Sequence, residues 1–224
     1  MALIPAGTFW MGSPEGSGQA NEHPQHRVSV AAFCMDRTEV TVDAYAACVS
    51  SGTCAPATNY DYYCNANFSD RGNHPINCVD WTQADVYCTS RGGRLPTEEE
   101  WEYAARGTDG RIYPWGSEAP GNQLCWNRLN GTCEVGAFPA GNSPFGLFDM
   151  AGNVWEWTSE PPALPVDLGF DASAFRAIRG GSYAQSITTL RVTARSWATL
   201  DDARSDLGLR CAYDAPLPDA RPDR

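Results

Sequence analysis

Asp149 and Glu156 bracket Gly152 in the run Asp149-Met150-Ala151-Gly152-Asn153-Val154-Trp155-Glu156. Carboxylates and main-chain carbonyls are the ligands a hard cation such as calcium takes, and a glycine lets the backbone curl toward one. On spacing alone this signal is weak. Its plain alternative is a turn in which Glu156 accepts hydrogen bonds from backbone amides. His23-Pro24-Gln25-His26 carries two imidazoles at a spacing metal ligands can use, but the proline and the polar surroundings read as an exposed loop. Nine cysteines form an odd set. Cys48 and Cys54 bracket a short Gly-containing turn, Cys64 and Cys78 flank a polar loop, and Cys125 and Cys133 bracket Asn130-Gly131, a hairpin-type pair. These read as local disulfides of an oxidising compartment, against the alternative of reduced thiols in a cytosolic protein. No short Cys-x-x-Cys pair recurs, so zinc is not indicated. Between residues 134 and 210 there is no cysteine at all. Gly180-Gly181-Ser182-Tyr183-Ala184-Gln185-Ser186-Ile187-Thr188-Thr189-Leu190 thus offers hydroxyls, an amide and apolar groups, but no soft donor. No serine sits in a nucleophile elbow and only three histidines exist, so serine hydrolysis has no support.

The elements that position these groups are short. Residues 4–10 and 27–35 read as strands bounded by Gly, Pro or polar turns. Thr41–Val49 and Trp81–Ser90 have helical patterns, the first capped by Thr41. Thr97 to Gly107 is a third, well-punctuated helix. Thr97 and Glu100 have the spacing of a capping box, acidic residues fill the first turn, Arg106 the last, and Gly107 stops it. Glu98, Glu99, Glu100 and Glu102 read as helix-stabilising or solvated rather than catalytic. Residues 110–144 are turn-rich, 145–158 are densely apolar and aromatic, and 161–172 form a Pro-rich loop. Short strands are expected at 177–179, 190–192 and 207–212. With no repeat and no linker, this predicts one α+β domain over residues 1–213, followed by a disordered tail at 214–224.

Composition narrows the partners. The 224 residues are 42% hydrophobic, enough for a substantial core. No run approaches the roughly 20 apolar residues of a membrane span, and no signal peptide is visible, so direct membrane insertion is not expected. A net charge of -11 argues against a nucleic-acid partner. It suits a cation, a basic peptide or a neutral glycan, and is equally compatible with plain solubility.

Four stretches carry a resemblance: Ile4-Pro5-Ala6-Gly7-Thr8-Phe9-Trp10-Met11-Gly12-Ser13, Glu39-Val40-Thr41, the segment Gly93–Gly107, and Gly146–Trp157. With Arg179-Gly180-Gly181-Ser182 they resemble the formylglycine-generating-enzyme-like, or sulfatase-modifying-factor, domain in order from about residue 3 to 213. The resemblance implies that family's variant of the C-type lectin fold. It implies a structural calcium held by Asp149 and Glu156, with main-chain oxygens of Gly152 and Val154, while a second calcium loop is replaced by the short Cys125–Cys133 segment. It also implies a disulfide between Cys88 and Cys211; Cys34 is then left over and reads as a buried, inert thiol, with a reactive nucleophile as the alternative. In the family's copper oxidases two thiolates bind Cu(I) in the segment after Gly-Gly-Ser. The matching positions here are Gln185 and one near Leu190, so copper lacks its ligands. The resemblance places Trp155 and Ser182 in a ligand groove, with Tyr183, Gln185, Arg195 and Trp197 as neighbours; packing is the alternative role for Trp155, Trp157 and Ser182. The resulting expectation is a secreted, periplasmic or envelope-associated binding module for peptide, protein or glycan, lacking the oxidase activity. The alternatives are an enzyme of different oxidative or biosynthetic chemistry in the same groove, or a retroelement-diversified receptor varying between Ala184 and Arg210.

Overall fold

The computed structural model describes residues 1–58, 61–129, 131–162 and 171–215. The turn expected at Asn130, most of the Pro-rich loop and the tail from residue 216 lie outside the described residues.

Each of the two long N-terminal strands expected from the sequence is two strands. Strand β1 (Ala2–Ile4) and β2 (Gly7–Met11) are separated at Pro5-Ala6, and β3 (His26–Val30) and β4 (Phe33–Met35) at Ala31-Ala32. Pro5 has no N–H for a ladder, so the chain leaves one sheet there and enters another. Accordingly β1 pairs antiparallel with β4, and β2 with β3. Strand β4 also pairs with β9 (Ala212–Asp214) at the other end of the chain. The expected strand at 207–212 is likewise split, into β8 (Leu207–Gly208) and β9, as the chain crosses between sheets. A four-stranded sheet has the order β7 (Arg195–Thr199), β6 (Phe175–Arg179), β5 (Trp155–Trp157), β8.

The expected strand at 190–192 is absent. A 3-10 turn at Ile187–Thr189 ends on Leu190, whose side chain is fully buried with Tyr113, Leu124 and Ala151. Among the described residues no strand flanks the Cys125–Cys133 segment.

Among the described residues three α-helices pack with the sheets. In α1 (Val42–Ser50) the Thr41 hydroxyl accepts from the Ala44 amide. Helix α2 (Trp81–Ser90) starts on an Asp80–Gln83 capping box. Helix α3 (Glu98–Arg106) has the Thr97–Glu100 box, and Gly107 stops it at φ 67°. One core joins α1 and α2 to the four-stranded sheet through Tyr45, Tyr87, Trp155, Trp157 and Ile178. A second packs Trp101 of α3 and the Leu147–Met150 segment against β1 and β4.

All four expected disulfides are formed: Cys48–Cys54, Cys64–Cys78, Cys88–Cys211 and Cys125–Cys133. Cys34 is a half-buried free thiol on β4, paired across strands with Leu3 and Tyr213. No helix among the described residues is long and apolar enough to cross a membrane.

Candidate functional site

Alternation along β5 sends Trp155 and Trp157 into the first core and Glu156 toward α3. Glu156 is fully buried there. Its Oε2 accepts from the Trp101 indole N–H at 2.7 Å and from Arg210 Nε at 2.7 Å, and its Oε1 accepts from Arg210 Nη2 at 2.7 Å. Arg210 Nη2 also donates to the Phe148 carbonyl at 3.0 Å. Burial works against the Arg210 charge, but the facing Glu156 carboxylate outweighs it and holds the guanidinium pKa above its usual range.

Beside this pair lie two more carboxyls. Asp149 has φ 57° and accepts from the Gly136 amide at 2.6 Å. Glu39, placed just before the α1 cap, is its close electrostatic neighbour. Glu39 Oε2 accepts from Asn153 Nδ2 at 3.2 Å, while Oε1 is buried without a partner among the described residues. Burial, and then the neighbouring Asp149, push the Glu39 carboxyl well above the usual carboxylate range. Burial also raises Asp149, against the opposing pull of the Gly136 amide and Arg210. Three carboxyls thus surround one guanidinium. A buried charge excess of this kind requires a bound proton or a cation.

Glu156, which the resemblance implied as a calcium ligand, is therefore a committed carboxylate. Both Glu156 oxygens are committed to Arg210 and Trp101, whereas Glu39 faces Asp149 with an oxygen free. Among the described residues no cluster of three or more His, Cys, Asp or Glu side chains is arranged to hold a metal. The Glu39–Asp149 pair, with its orphaned buried oxygen, still fits a hard cation completed by carbonyls. Gly152 lets the loop curl: its φ is 79°, and a Cβ there would meet the Cys125 carbonyl oxygen at 2.4 Å.

The six expected groove residues do not meet in one place. Ser182 is buried, with its hydroxyl donating to Asp206 Oδ2 at 3.4 Å. Tyr183 follows, its amide donating to the Asn153 carbonyl and its carbonyl accepting from the Arg128 amide. Burial raises the Tyr183 phenol. Gln185 is half-buried and its amide donates to the Ser182 carbonyl at 3.2 Å. These three share one turn. Trp155 is buried in the first core instead. Arg195 and Trp197 lie on the opposite face of the four-stranded sheet, since Arg195 stands across from Arg179 and Arg179 from Glu156. There Arg195 pairs with Glu98, and Arg179 with Glu102, which also holds Arg106. Burial lowers the Arg195 pKa. Glu98 and Glu102, read from the sequence as helix-stabilising or solvated, are buried members of this ionic layer at 4% and 1% exposure.

Next to Ser182 lies a cleft of about 640 Å³ that the sequence reading missed. Asp61, Tyr62, Asp201, Asp202, Arg204 and Asp206 line it. Arg204 is already paired with Asp202 and Asp206. Four aspartates against one committed arginine leave the cleft acidic, and Tyr62 is 74% exposed at its edge. Three aspartates within residues 201–206 were the available signal.

Residues 1–215 match the sulfatase-modifying factor enzyme 1-like domain. The chain belongs to this family. It is 32% identical to the formylglycine-generating enzyme of Thermomonospora curvata, over 96% of this chain and 93% of that one. It is 40% identical to the inactive C-alpha-formylglycine-generating enzyme 2 of Bos taurus over 64% of its length, and spans about half (52%) of that protein. The structure of PvdO from Pseudomonas aeruginosa matches with a TM-score of 0.79 at 25% identity, covering 95% of this chain and 93% of that one. The fold is the formylglycine-generating-enzyme variant of the C-type-lectin-like α+β fold.

Since this sulfatase-modifying-factor-like family includes both a formylglycine-generating enzyme and a relative named inactive, membership leaves the chemistry to the residues. Copper does not fit those present. Cu(I) takes soft sulfur donors, whereas Gln185 presents an amide and Leu190 is fully buried among apolar side chains. The free thiol, Cys34, is on β4 in a different sheet from the one that leads into the Gly180–Leu190 turn.

Proposed function

We propose that this chain is a calcium-stabilised binding module without oxidase chemistry, a pseudoenzyme that works in an oxidising, extracytoplasmic compartment. The absence of any cysteine between 134 and 210 carries this reading. Its ligand is a peptide or protein segment with basic side chains, held in the acidic cleft beside Ser182. The four disulfides support the compartment. Charge complementarity supports the ligand, with Tyr62 supplying apolar contact at the rim.

Calorimetric titration with a cysteine-free, arginine-containing heptapeptide tests the cleft. The chain binds this peptide but not its citrulline counterpart, and binding weakens with added salt. The double variant D201N/D202N weakens it about tenfold, roughly 0.7 kcal/mol for each charge. Binding that ignores both the arginines and the aspartates would show that the ligand sits elsewhere.

Calcium would be held by Asp149 and Glu39, completed by the carbonyls of Gly152 and Val154, neutralising the buried carboxyls and pinning the loop. Saturating calcium added to chelator-treated protein raises Tm by roughly 5 to 10 °C, about what a ligand at a hundred times its Kd contributes. E39Q removes this response. An unchanged Tm in the unsubstituted chain would remove calcium from the account.

A further inference from the structure

A second cleft, of about 460 Å³, has the opposite electrostatic character. Gly121, Asn122, Leu124, Trp126, Asn127, Arg128 and Phe138 line it, with no carboxylate among them. Trp126 is half-buried, and its indole N–H donates to the Gly121 carbonyl at 3.0 Å. That bond fixes the plane of the ring. Leu124 is buried in the apolar cluster with Leu190, against which Trp126 packs. The indole is therefore a rigid platform presented at an opening, with half-buried Phe138 beside it.

Arg128 is the sole charged residue lining this cleft. Its backbone amide is fixed to the Tyr183 carbonyl at 2.9 Å. Its Nε is shielded from solvent and lacks a hydrogen-bond partner among the described residues. Eight other arginines form ion pairs among the described residues, but Arg128 does not. In a chain of net charge -11, a cleft whose one charge is an unpaired guanidinium selects an anion. A guanidinium fork matches the geometry of a carboxylate. Asn122 and Asn127 are exposed at the same opening, and each amide both donates and accepts, as vicinal hydroxyls require.

We infer that the Trp126–Arg128 cleft binds a carboxylate-bearing saccharide: the apolar face of the sugar ring on the indole, its hydroxyls on Asn122 and Asn127, and its carboxylate on Arg128. The described lining residues form turns with no strand edge that a peptide could extend, which favours a sugar over a peptide. This inference does not depend on the acidic cleft, whose charge would repel the same ligand.

The test uses the full chain and a uronic-acid trisaccharide, with the carboxyl-reduced neutral trisaccharide as the comparison. Quenching of tryptophan fluorescence and calorimetry report binding. The acidic trisaccharide binds roughly tenfold more tightly than the neutral one. R128Q removes that preference while leaving the weaker neutral binding, and W126A abolishes both. D201N/D202N leaves the affinity unchanged or higher. Thermal melts confirm that each variant is folded; if W126A fails to fold, N127A takes its place and weakens both sugars. Absence of acidic-sugar binding, equal binding of the two sugars, or an R128Q variant that keeps the preference would each overturn the assignment. None of these outcomes bears on peptide binding in the acidic cleft.

Discussion

Arg210→Ala lowers the stability of this chain by at least about 3 to 5 kcal/mol, the usual cost of leaving one half of a buried ion pair alone. The whole stability of a domain is about 5 to 15 kcal/mol, so the variant is marginal or unfolded at 37 °C. Both partners of the Arg210–Glu156 pair are fully buried, and both Glu156 oxygens depend on Arg210. Removing Arg210 also takes the compensating charge away from Glu39 and Asp149. Arg210→Lys fails as well, since an ammonium cannot span both oxygens as the guanidinium fork does. Glu156→Gln costs less, because Glu39 and Asp149 still offset the Arg210 charge and one oxygen still accepts, although the amide NH2 then faces an Arg210 N–H. Urea denaturation monitored by far-UV circular dichroism ranks the three. An Arg210→Ala variant as stable as Glu156→Gln would contradict the charge account.

The second large effect is covalent. Cys88 on α2 and Cys211 before β9 are 123 residues apart and fully buried. Chain-entropy reasoning gives about 5 kcal/mol for a loop of that length, against about 2 kcal/mol for the six-residue separation of Cys48–Cys54. The C88A/C211A double variant therefore melts roughly 10 to 20 °C lower, and C48A/C54A clearly less. Differential scanning calorimetry of both variants checks the order. A reversed order would mean that the link between α2 and the C-terminal sheet does not set the stability of the fold.

Legibility followed sequence distance. The α3 helix reads correctly because its determinants, Thr97, Glu100, Arg106 and Gly107, are local to the helix. Cys48 and Cys54 bracket a short turn and Cys64 and Cys78 flank one polar loop, so their proximity is set largely by the chain itself. The Glu39–Asp149 contact joins residues 110 positions apart, and nothing in either neighbourhood announces it. The groove failed for a different reason. Which face a strand residue takes depends on register, and one step moves it to the other side. Arg195 and Trp197 therefore faced the α3 ionic layer rather than Ser182. The strand expected at 190–192 gave way because Leu190 ends a 3-10 turn whose apolar end fills a core. Burial of Glu98 and Glu102 was hidden because their partners, Arg179 and Arg195, come from β6 and β7 far along the chain. Glycine and proline marked most breaks, but not which sheet each fragment joined.

The central claim is that the Gly180–Leu190 turn, without thiolates, cannot support copper-dependent oxidation. Its most direct test is to incubate the purified chain with Cu(I), dioxygen, a thiol reductant and a Cys-x-Pro-x-Arg peptide, then assay the peptide by mass spectrometry. The account predicts an unmodified cysteine and no copper retained by the chain after desalting. Stoichiometric formylglycine in the peptide would contradict it.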